Sequence, residues 1–496
     1  MQIKTALNEH QKHPHVLPAA IAFAAGLLMF GFVMDSPEEI FTGMRKIIFS
    51  QDLLITDYIA IAGPGAAFVN AGLVTMISIV LLGLFEEHVN GYTIVSVSLM
   101  AGFSLFGKNI VNIWPIIFGT VVYARYQKEP FSKYVSVSLL ATSLAPLVSY
   151  IAVGRGESHL LLSLLTGMLI GFVLPPLSAY TYKVQNGMNL YNMGFACGLV
   201  AMIAVPILRA FGNEPNSVLF WSKEYSRELG FILTVFCMAF IFLGMYVASN
   251  SPQEAWKGYR RLLTSTGRAP SDFLRMFGRG PVLINMGING MLGMVYILAV
   301  GGELNGPTLG GIATIIGFSA FGKHALNIVP VMVGVGIGAY SMHYMPDYPS
   351  LQLAGLFGTT LAPIAGHFGW LAGILAGFIH ACLVLETGGA VAGVNLYNNG
   401  FSGGLIAVVL YPVITEIIRH RRPHVQDKEY YDLFEEDEAI DTSGWDSKLV
   451  GKEHATHEFY PAEEALHENV HSHSEKYKHV EEKTVDATKE KDCVNK

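Results

Sequence analysis

Two lysines at equivalent positions suggest the clearest chemistry in this sequence. Lys108 and Lys323 each follow a short apolar segment containing glycine and serine, and four residues later comes Asn112 or Asn327. Ionisable side chains at bilayer depth cost about 3 kcal/mol each and are usually functional. An ammonium group there would attract an anion, or take the place of a cation in an empty site. The alternative is that each lysine extends to the membrane interface.

A second polar set lies in the stretch NLYNMGFACGL at 189–199, which returns as NLYNNGFSGGL at 395–405. Glycines before and within each copy predict a helix broken at membrane depth, where backbone donors and amide side chains can bind a solute. We therefore predict a hydrogen-bonding site with amphipathic walls, built from the asparagines and tyrosines of both copies: Asn189, Tyr191, Asn192, Asn395, Tyr397 and Asn398. The alternative is that these asparagines join packed helices.

Three more polar residues belong to the predicted site. Asn109 and His324 stand beside the two lysines and are hydrogen-bonding candidates. Glu386 lies near the end of an apolar segment, where an unpaired carboxylate can carry a coupling proton or can sit at the interface. The histidines of the C-terminal region have no fixed metal-ligand spacing, and no nucleotide-binding loop or nucleophile elbow is present. The sequence therefore predicts no cofactor, no metal and no enzyme activity.

Composition places the chain in a membrane. Of its 496 residues, 51% are hydrophobic and 14% are charged, which is too little charge for the surface of a soluble protein of this size. Apolar segments near the 20-residue length of a spanning helix recur along residues 16–418. The predicted partners are accordingly the lipid bilayer and a small-molecule solute, with no nucleic acid.

The apolar part of the chain is duplicated. A shift of 215 residues aligns GFSLFGKNIVNIWP at 102–115 with GFSAFGKHALNIVP at 317–330, and the NLYN copies follow a shift of 206. Agreement between separate blocks indicates a repeat of about 200 residues, too long for a solenoid unit. We predict an all-α polytopic membrane protein with a first repeat at 16–210 and a second at 230–418, each of about seven spans, some short or re-entrant.

The charges of short loops predict that the two repeats are inverted, because Lys and Arg mark the cytoplasmic side. The loop 125–133 carries three basic residues, and its counterpart around Asp347 carries none. The linker 251–280 has six basic residues against two acidic ones, whereas its counterpart 35–65 has two against five. Equivalent loops on opposite sides require an odd number of crossings in each repeat.

Both termini are then predicted on the cytoplasmic side, as a short N-terminus at 1–15 and a polar tail at 419–496. This tail carries 20 of the 39 acidic residues and 12 of the 32 basic ones, so most of the net charge of −7 lies there. Its mixed charge and low apolar content predict disorder. The linkers 38–50 and 253–265 have amphipathic patterns and are predicted to lie along the membrane surface.

With this repeat and the motifs GFSxFGK and NLYNxGF, the chain resembles a bacterial family of two-repeat membrane proteins, domain of unknown function 1576. The resemblance extends from the first span to about residue 420. It implies an integral protein of the bacterial cell membrane and supplies no substrate or mechanism. The seven-plus-seven arrangement is also similar to that of nucleobase and sulfate transporters, and urea channels use inverted halves with fewer spans. A fold alone does not decide function.

We predict a membrane transport protein, either a secondary transporter or a channel, for a small polar or anionic solute. Its site would lie between the two repeats near the membrane midplane. One alternative is a membrane-embedded sensor or scaffold whose tail recruits a cytoplasmic partner. Another is a membrane-embedded lipid-modifying enzyme, which would need clustered carboxylates or histidines that the sequence lacks. Homo-oligomer formation is left open.

Overall fold

The computed structural model describes residues 16–85, 89–154, 159–247, 251–342 and 347–421. The predicted N-terminus at 1–15 and the tail beyond residue 421 lie outside the described residues. This described part is helical and contains no β-strand; an isolated bridge pairs Thr56 with Phe220. The expected all-α architecture is therefore confirmed.

The first repeat contains ten α-helices. Their bounds are α1 Val16–Met34, α2 Pro37–Ile48, α3 Tyr58–Ala62, α4 Pro64–Leu84, α5 Gly91–Phe103, α6 Trp114–Tyr126, α7 Val135–Ala141, α8 Ala145–Val153, α9 Leu160–Gln185 and α10 Asn192–Ala210. Single 3₁₀ turns precede and follow α7, at Phe131–Tyr134 and Thr142–Leu144.

The second repeat has ten corresponding α-helices in the same order. Their bounds are α11 Ser226–Val247, α12 Pro252–Leu262, α13 Phe273–Phe277, α14 Arg279–Ala299, α15 Gly306–Phe318, α16 Ala325–Ser341, α17 Pro349–Phe357, α18 Ala362–Phe368, α19 Trp370–Ala390 and α20 Asn398–Arg421. A 3₁₀ turn at Gly358–Leu361 joins α17 to α18. Each helix of the first repeat thus has its counterpart ten helices later, as the duplication predicts.

Not all of these elements are long enough to cross a bilayer. Eight segments in the described residues have the length and hydropathy of a span, or nine if the bent pair α1–α2 is counted as one. Helices α5 and α15 have 13 residues each, about 20 Å at 1.5 Å per residue, against a hydrocarbon core of about 30 Å. Both helices are therefore too short to cross the bilayer, as expected for repeats in which some spans are short or re-entrant.

The predicted surface helices form at the expected places. Helix α2 follows α1 after a bend of 114°, and Ser36 caps it by accepting a hydrogen bond from the Glu39 N–H. Its counterpart α12 is capped in the same way by Ser251 and Glu254. Each helix has proline in its first turn, where the missing N–H costs nothing. The repeated Ser-Pro sequence thus sets the start of both helices.

Matching helices pack in matching ways. In the first repeat α1 packs along α4 and α6 along α9, and the same pairs recur in the second repeat as α11 with α14 and α16 with α19. Between the repeats, the largest contacts join each of two helices to its own counterpart, α5 to α15 and α10 to α20. Equivalent helices of the two repeats therefore form the main contact between them.

Candidate functional site

Both lysines lie where a short helix stops inside the protein. Helix α5 ends at Phe103 and α15 at Phe318, and the chain then turns through a glycine of positive φ, Gly107 at 148° and Gly322 at 102°. Ending a helix leaves carbonyl groups without intrahelical partners. The breaks therefore combine polar backbone with a lysine in an otherwise apolar region.

At each of these helix ends, an asparagine from a neighbouring helix donates hydrogen bonds to backbone carbonyl groups. Asn70 of α4 donates hydrogen bonds of 2.7 and 2.8 Å to two carbonyls there, one of them that of Lys108. Asn285 of α14 does the same at 2.8 and 2.7 Å, with Lys323 as an acceptor. Sequence reasoning missed both asparagines. Their separation by 215 residues, the same shift as the lysines, was the signal that could have found them.

The Lys323 side chain is fully buried and hydrogen-bonded. Its ammonium group donates to the Tyr191 hydroxyl, and to the Thr359 hydroxyl at 2.7 Å. It also lies 4.3 Å from the centroid of the Tyr191 ring and 5.2 Å from that of Phe318, distances at which a cation is attracted to a ring face. Lys323 is therefore enclosed by two aromatic rings and two hydroxyls.

The Lys108 side chain is equally buried but has weaker partners. Its ammonium lies 3.3 Å from the Met100 sulfur and 3.4 Å from the Leu139 carbonyl, and 5.1 Å from the centroid of Phe103. Thioethers are weak acceptors, and 3.4 Å is long for a hydrogen bond to a carbonyl. Both predicted lysines are thus fully buried in the protein, with unequal surroundings.

The tyrosines of the two NLYN copies form contacts between the two repeats at this site. Tyr191 of the first repeat reaches Lys323 of the second. Tyr397 of the second repeat packs against Phe103 of the first, with ring centroids 5.1 Å apart. The two tyrosine rings stack on each other at 4.5 Å. Each lysine region is therefore built from both repeats, and the tyrosine pair lies between the two regions.

Among the residues that the structure describes, neither lysine has a carboxylate partner. Within the described ranges, the ion pairs join Lys133 to Glu129 and Arg275 to Asp272, both away from this site. A lysine that extends to the membrane interface would be exposed on the surface of the protein, whereas both of these are enclosed. Both lysine side chains are therefore enclosed by the protein rather than extended to its surface, and no carboxylate of the described residues contacts either ammonium.

The first asparagine of each NLYN copy joins the repeats. Asn189 donates to the Gly400 carbonyl at 3.1 Å, and Asn395 donates to the Gly194 carbonyl at 3.3 Å. Each amide thus contacts the first turn of the helix that follows the other copy, α20 or α10. These two residues occupy the predicted place between the repeats, and their amides bind protein rather than facing an open site.

The second asparagine of each copy holds neighbouring helices within one repeat. Asn192 donates to the Ser178 carbonyl of α9 at 2.7 Å, and Asn398 donates to the Thr387 hydroxyl of α19 at 3.3 Å. Together the four asparagines follow the helix-joining interpretation that the sequence left as an alternative. Of the two tyrosines of the motif, Tyr397 has a buried hydroxyl without a hydrogen-bond partner among the described residues, whereas the Tyr191 hydroxyl accepts from Lys323.

The two asparagines near Lys108 donate hydrogen bonds to a buried carboxylate that the sequence analysis did not identify. Asp52, between α2 and α3, accepts hydrogen bonds from Asn109 and Asn112, both at 3.1 Å, and from Tyr58 and Ser149, both at 2.7 Å. Four donors around one carboxylate compensate its burial. Asn109 and Asn112 therefore hold a structural acid beside the first break.

The second repeat lacks this acid. Gly267 stands where the repeat shift places Asp52. His324 takes the position of Asn109, and Asn327 corresponds to Asn112. His324 contacts the Ser265 carbonyl through Nε2 at 2.8 Å, and Asn327 donates to the Gly322 carbonyl at 2.9 Å. No pattern in the sequence marks Asp52, because its copy is glycine.

Glu386 lies outside this cluster. It occupies the last turn of α19, and its side chain is exposed on the surface of the protein. The coupling role proposed for it stays a prediction. Groups of three or more metal-ligating side chains are absent from the part of the chain that the structure describes.

The two repeats coincide with the regions recognised by comparison with known proteins. Residues 36–210 and 251–416 match the family described as protein of unknown function, DUF1576. The chain matches no curated protein and no solved structure. The matched regions contain both lysines and both NLYN copies, and they cover more than half of the sequence. The chain therefore belongs to the DUF1576 family, and its two matched regions are the two halves of the internal duplication.

Proposed function

We propose that this membrane protein transports a small anion, which passes between the two repeats at the buried lysines. The observation that carries the proposal is the fully buried pair Lys108 and Lys323, with no carboxylate in contact with either ammonium among the described residues. A role in joining packed helices explains the buried asparagines. Helix packing does not require a buried lysine, so the lysines need another explanation.

Electrostatics gives the sign of the solute. Placing an isolated ammonium in an apolar interior costs several kcal/mol even after relaxation, and a nearby opposite charge offsets much of this cost. A passing anion supplies that charge, whereas a passing cation would add repulsion at both lysines. The aromatic rings of Phe103 and Phe318, beside the lysines, exclude water and so strengthen the attraction.

The site is closed on both sides, since both lysines and both NLYN tyrosines have at most 1% of their surface exposed. Movement of an anion therefore requires the two repeats to separate locally. Helices α5 and α15, and α10 and α20, form the contact that would open. Alternating opening towards either side of the membrane is how repeat-built transporters work.

We further propose that the two repeats cross the membrane in opposite directions. The loop charges support this, because equivalent loops of the two repeats differ in their content of Lys and Arg. A reporter fused after residue 130 should then be active on the cytoplasmic side, and one inserted near residue 347 on the external side. Cysteine accessibility or enzyme fusions measure this. Both reporters on one side would contradict inversion.

The transport proposal is tested by anion flux into proteoliposomes that contain the purified chain. We expect flux of at least one of chloride, nitrate, formate and sulfate above that of empty vesicles. A variant truncated after residue 423 should transport at the same rate, because the lysine site lies wholly within residues 16–421. No flux for any of the four anions would contradict transport. Flux that is lost on truncation would instead favour a function that depends on the tail.

A further inference from the structure

The two lysine regions differ in how many hydrogen-bond donors are already used. Lys323 donates to two hydroxyl groups, those of Tyr191 and Thr359. Lys108 has a thioether and a distant carbonyl as partners. A buried ammonium needs strong acceptors for its three donors. Lys108 is therefore the lysine that still has donors to offer to a ligand.

The tyrosine beside Lys108 differs in the same sense. The Tyr397 hydroxyl is buried and has no hydrogen-bond partner among the described residues, whereas its counterpart Tyr191 accepts from Lys323. An unsatisfied buried hydroxyl costs about 1–3 kcal/mol. Tyr397 and Lys108 both contact the Phe103 ring, at 5.1 Å in each case. The Lys108 ammonium and the ring of Tyr397, whose hydroxyl has no partner among the described residues, thus both lie against Phe103.

We propose that the anion binds at Lys108, with the Tyr397 hydroxyl as its second donor, and that the solute is a small monovalent anion. One ammonium compensates one negative charge, so nitrate, formate or a halide fits this seat and sulfate does not. Lys323, held by Tyr191 and Thr359, is a spectator in the resting protein. This inference rests on the proposed transport function and adds which lysine, and which class of anion, it uses.

The matched pair Tyr397→Phe and Tyr191→Phe tests the inference, because each removes one hydroxyl and keeps the stacked rings. Without anion, Tyr397→Phe should leave the melting temperature unchanged or raised, since it removes an unpartnered group. Tyr191→Phe should lower it, since it breaks the contact with Lys323. With nitrate, Tyr397→Phe should raise the half-saturating concentration for flux about tenfold, the usual effect of losing a hydrogen bond to a charged group.

Tyr191→Phe should change the half-saturating nitrate concentration by less than about threefold. In addition, nitrate and formate should raise the melting temperature of the unaltered protein and sulfate should not. Equal effects of the two substitutions on nitrate flux would overturn the inference, and so would a preference for sulfate. Either result would contradict only the assignment of the anion to Lys108, because the measured flux would still support transport. If anions raise the melting temperature but no flux is measured, anion binding at Lys108 is supported and the transport function is contradicted.

Discussion

Replacing Lys108 and Lys323 together by methionine should reduce anion flux about a hundredfold or more, while the protein stays folded. Methionine keeps most of the lysine volume and removes the charge that attracts the anion. At Lys108, where the protein offers weak acceptors, this exchange should cost no stability. At Lys323 it leaves the Tyr191 and Thr359 hydroxyls without a cation, at about 1–3 kcal/mol. Vesicle flux and thermal unfolding measured on the same preparation give both results.

The exposed Lys257 provides the control for these substitutions. Lys257→Met removes the same charge from the surface helix α12 and should leave flux within about twofold. If the double variant transports anions normally, the buried lysines are not part of the pathway. If Lys108→Met unfolds the protein, then Lys108 is a structural residue and the interpretation of its weak contacts is wrong.

Introducing leucine at Gly400 should lower the free energy of unfolding by about 3 kcal/mol and separate the repeats. The Cβ of any residue at Gly400 would lie 2.8 Å from the Tyr191 carbonyl oxygen and 3.0 Å from the Gly194 Cα. The clash is with backbone, so no rotamer relieves it, and overpacking of this kind costs 1–3 kcal/mol or more. Because the stacked tyrosines lie at the same crossing, flux should fall as well.

Gly336 in α16 offers a matched position for this test. It also lies inside an apolar helix, but an added Cβ would meet no atom within 4 Å. We expect Gly336→Leu to leave the melting temperature within about two degrees of the original, whereas Gly400→Leu lowers it by several degrees. Similar melting temperatures for the two variants would mean that the α10–α20 crossing is not a close contact.

The duplication and the burial of the lysines could be predicted, because the sequence repeats each lysine at an equivalent position within apolar segments. The shift of 215 residues aligned Lys108 with Lys323 before any contact was known, and a charge repeated inside apolar sequence is too costly to be incidental. The tyrosines could be placed near them for the same reason. Repetition therefore identified residues of both halves that the structure brings together.

How these residues meet could not be predicted, because it depends on contacts between distant parts of the chain. Nothing local shows that Tyr191 reaches the lysine of the other repeat, 132 residues away. The asparagines looked like solute ligands, but their amides are taken by the carbonyls that broken helices expose. Asp52 has a glycine as its copy, so a search for repeated polar residues passes over it.

Locating a bound halide tests the central claim most directly. An experimental structure of the protein in sodium bromide, with the anomalous signal of bromine, would place the anion without assumptions about flux. We predict a bromide within about 3.5 Å of the Lys108 Nζ, between Lys108 and the Tyr397 hydroxyl. Bromide bound on the surface, with none in contact with either buried lysine, would contradict an anion pathway between the two repeats.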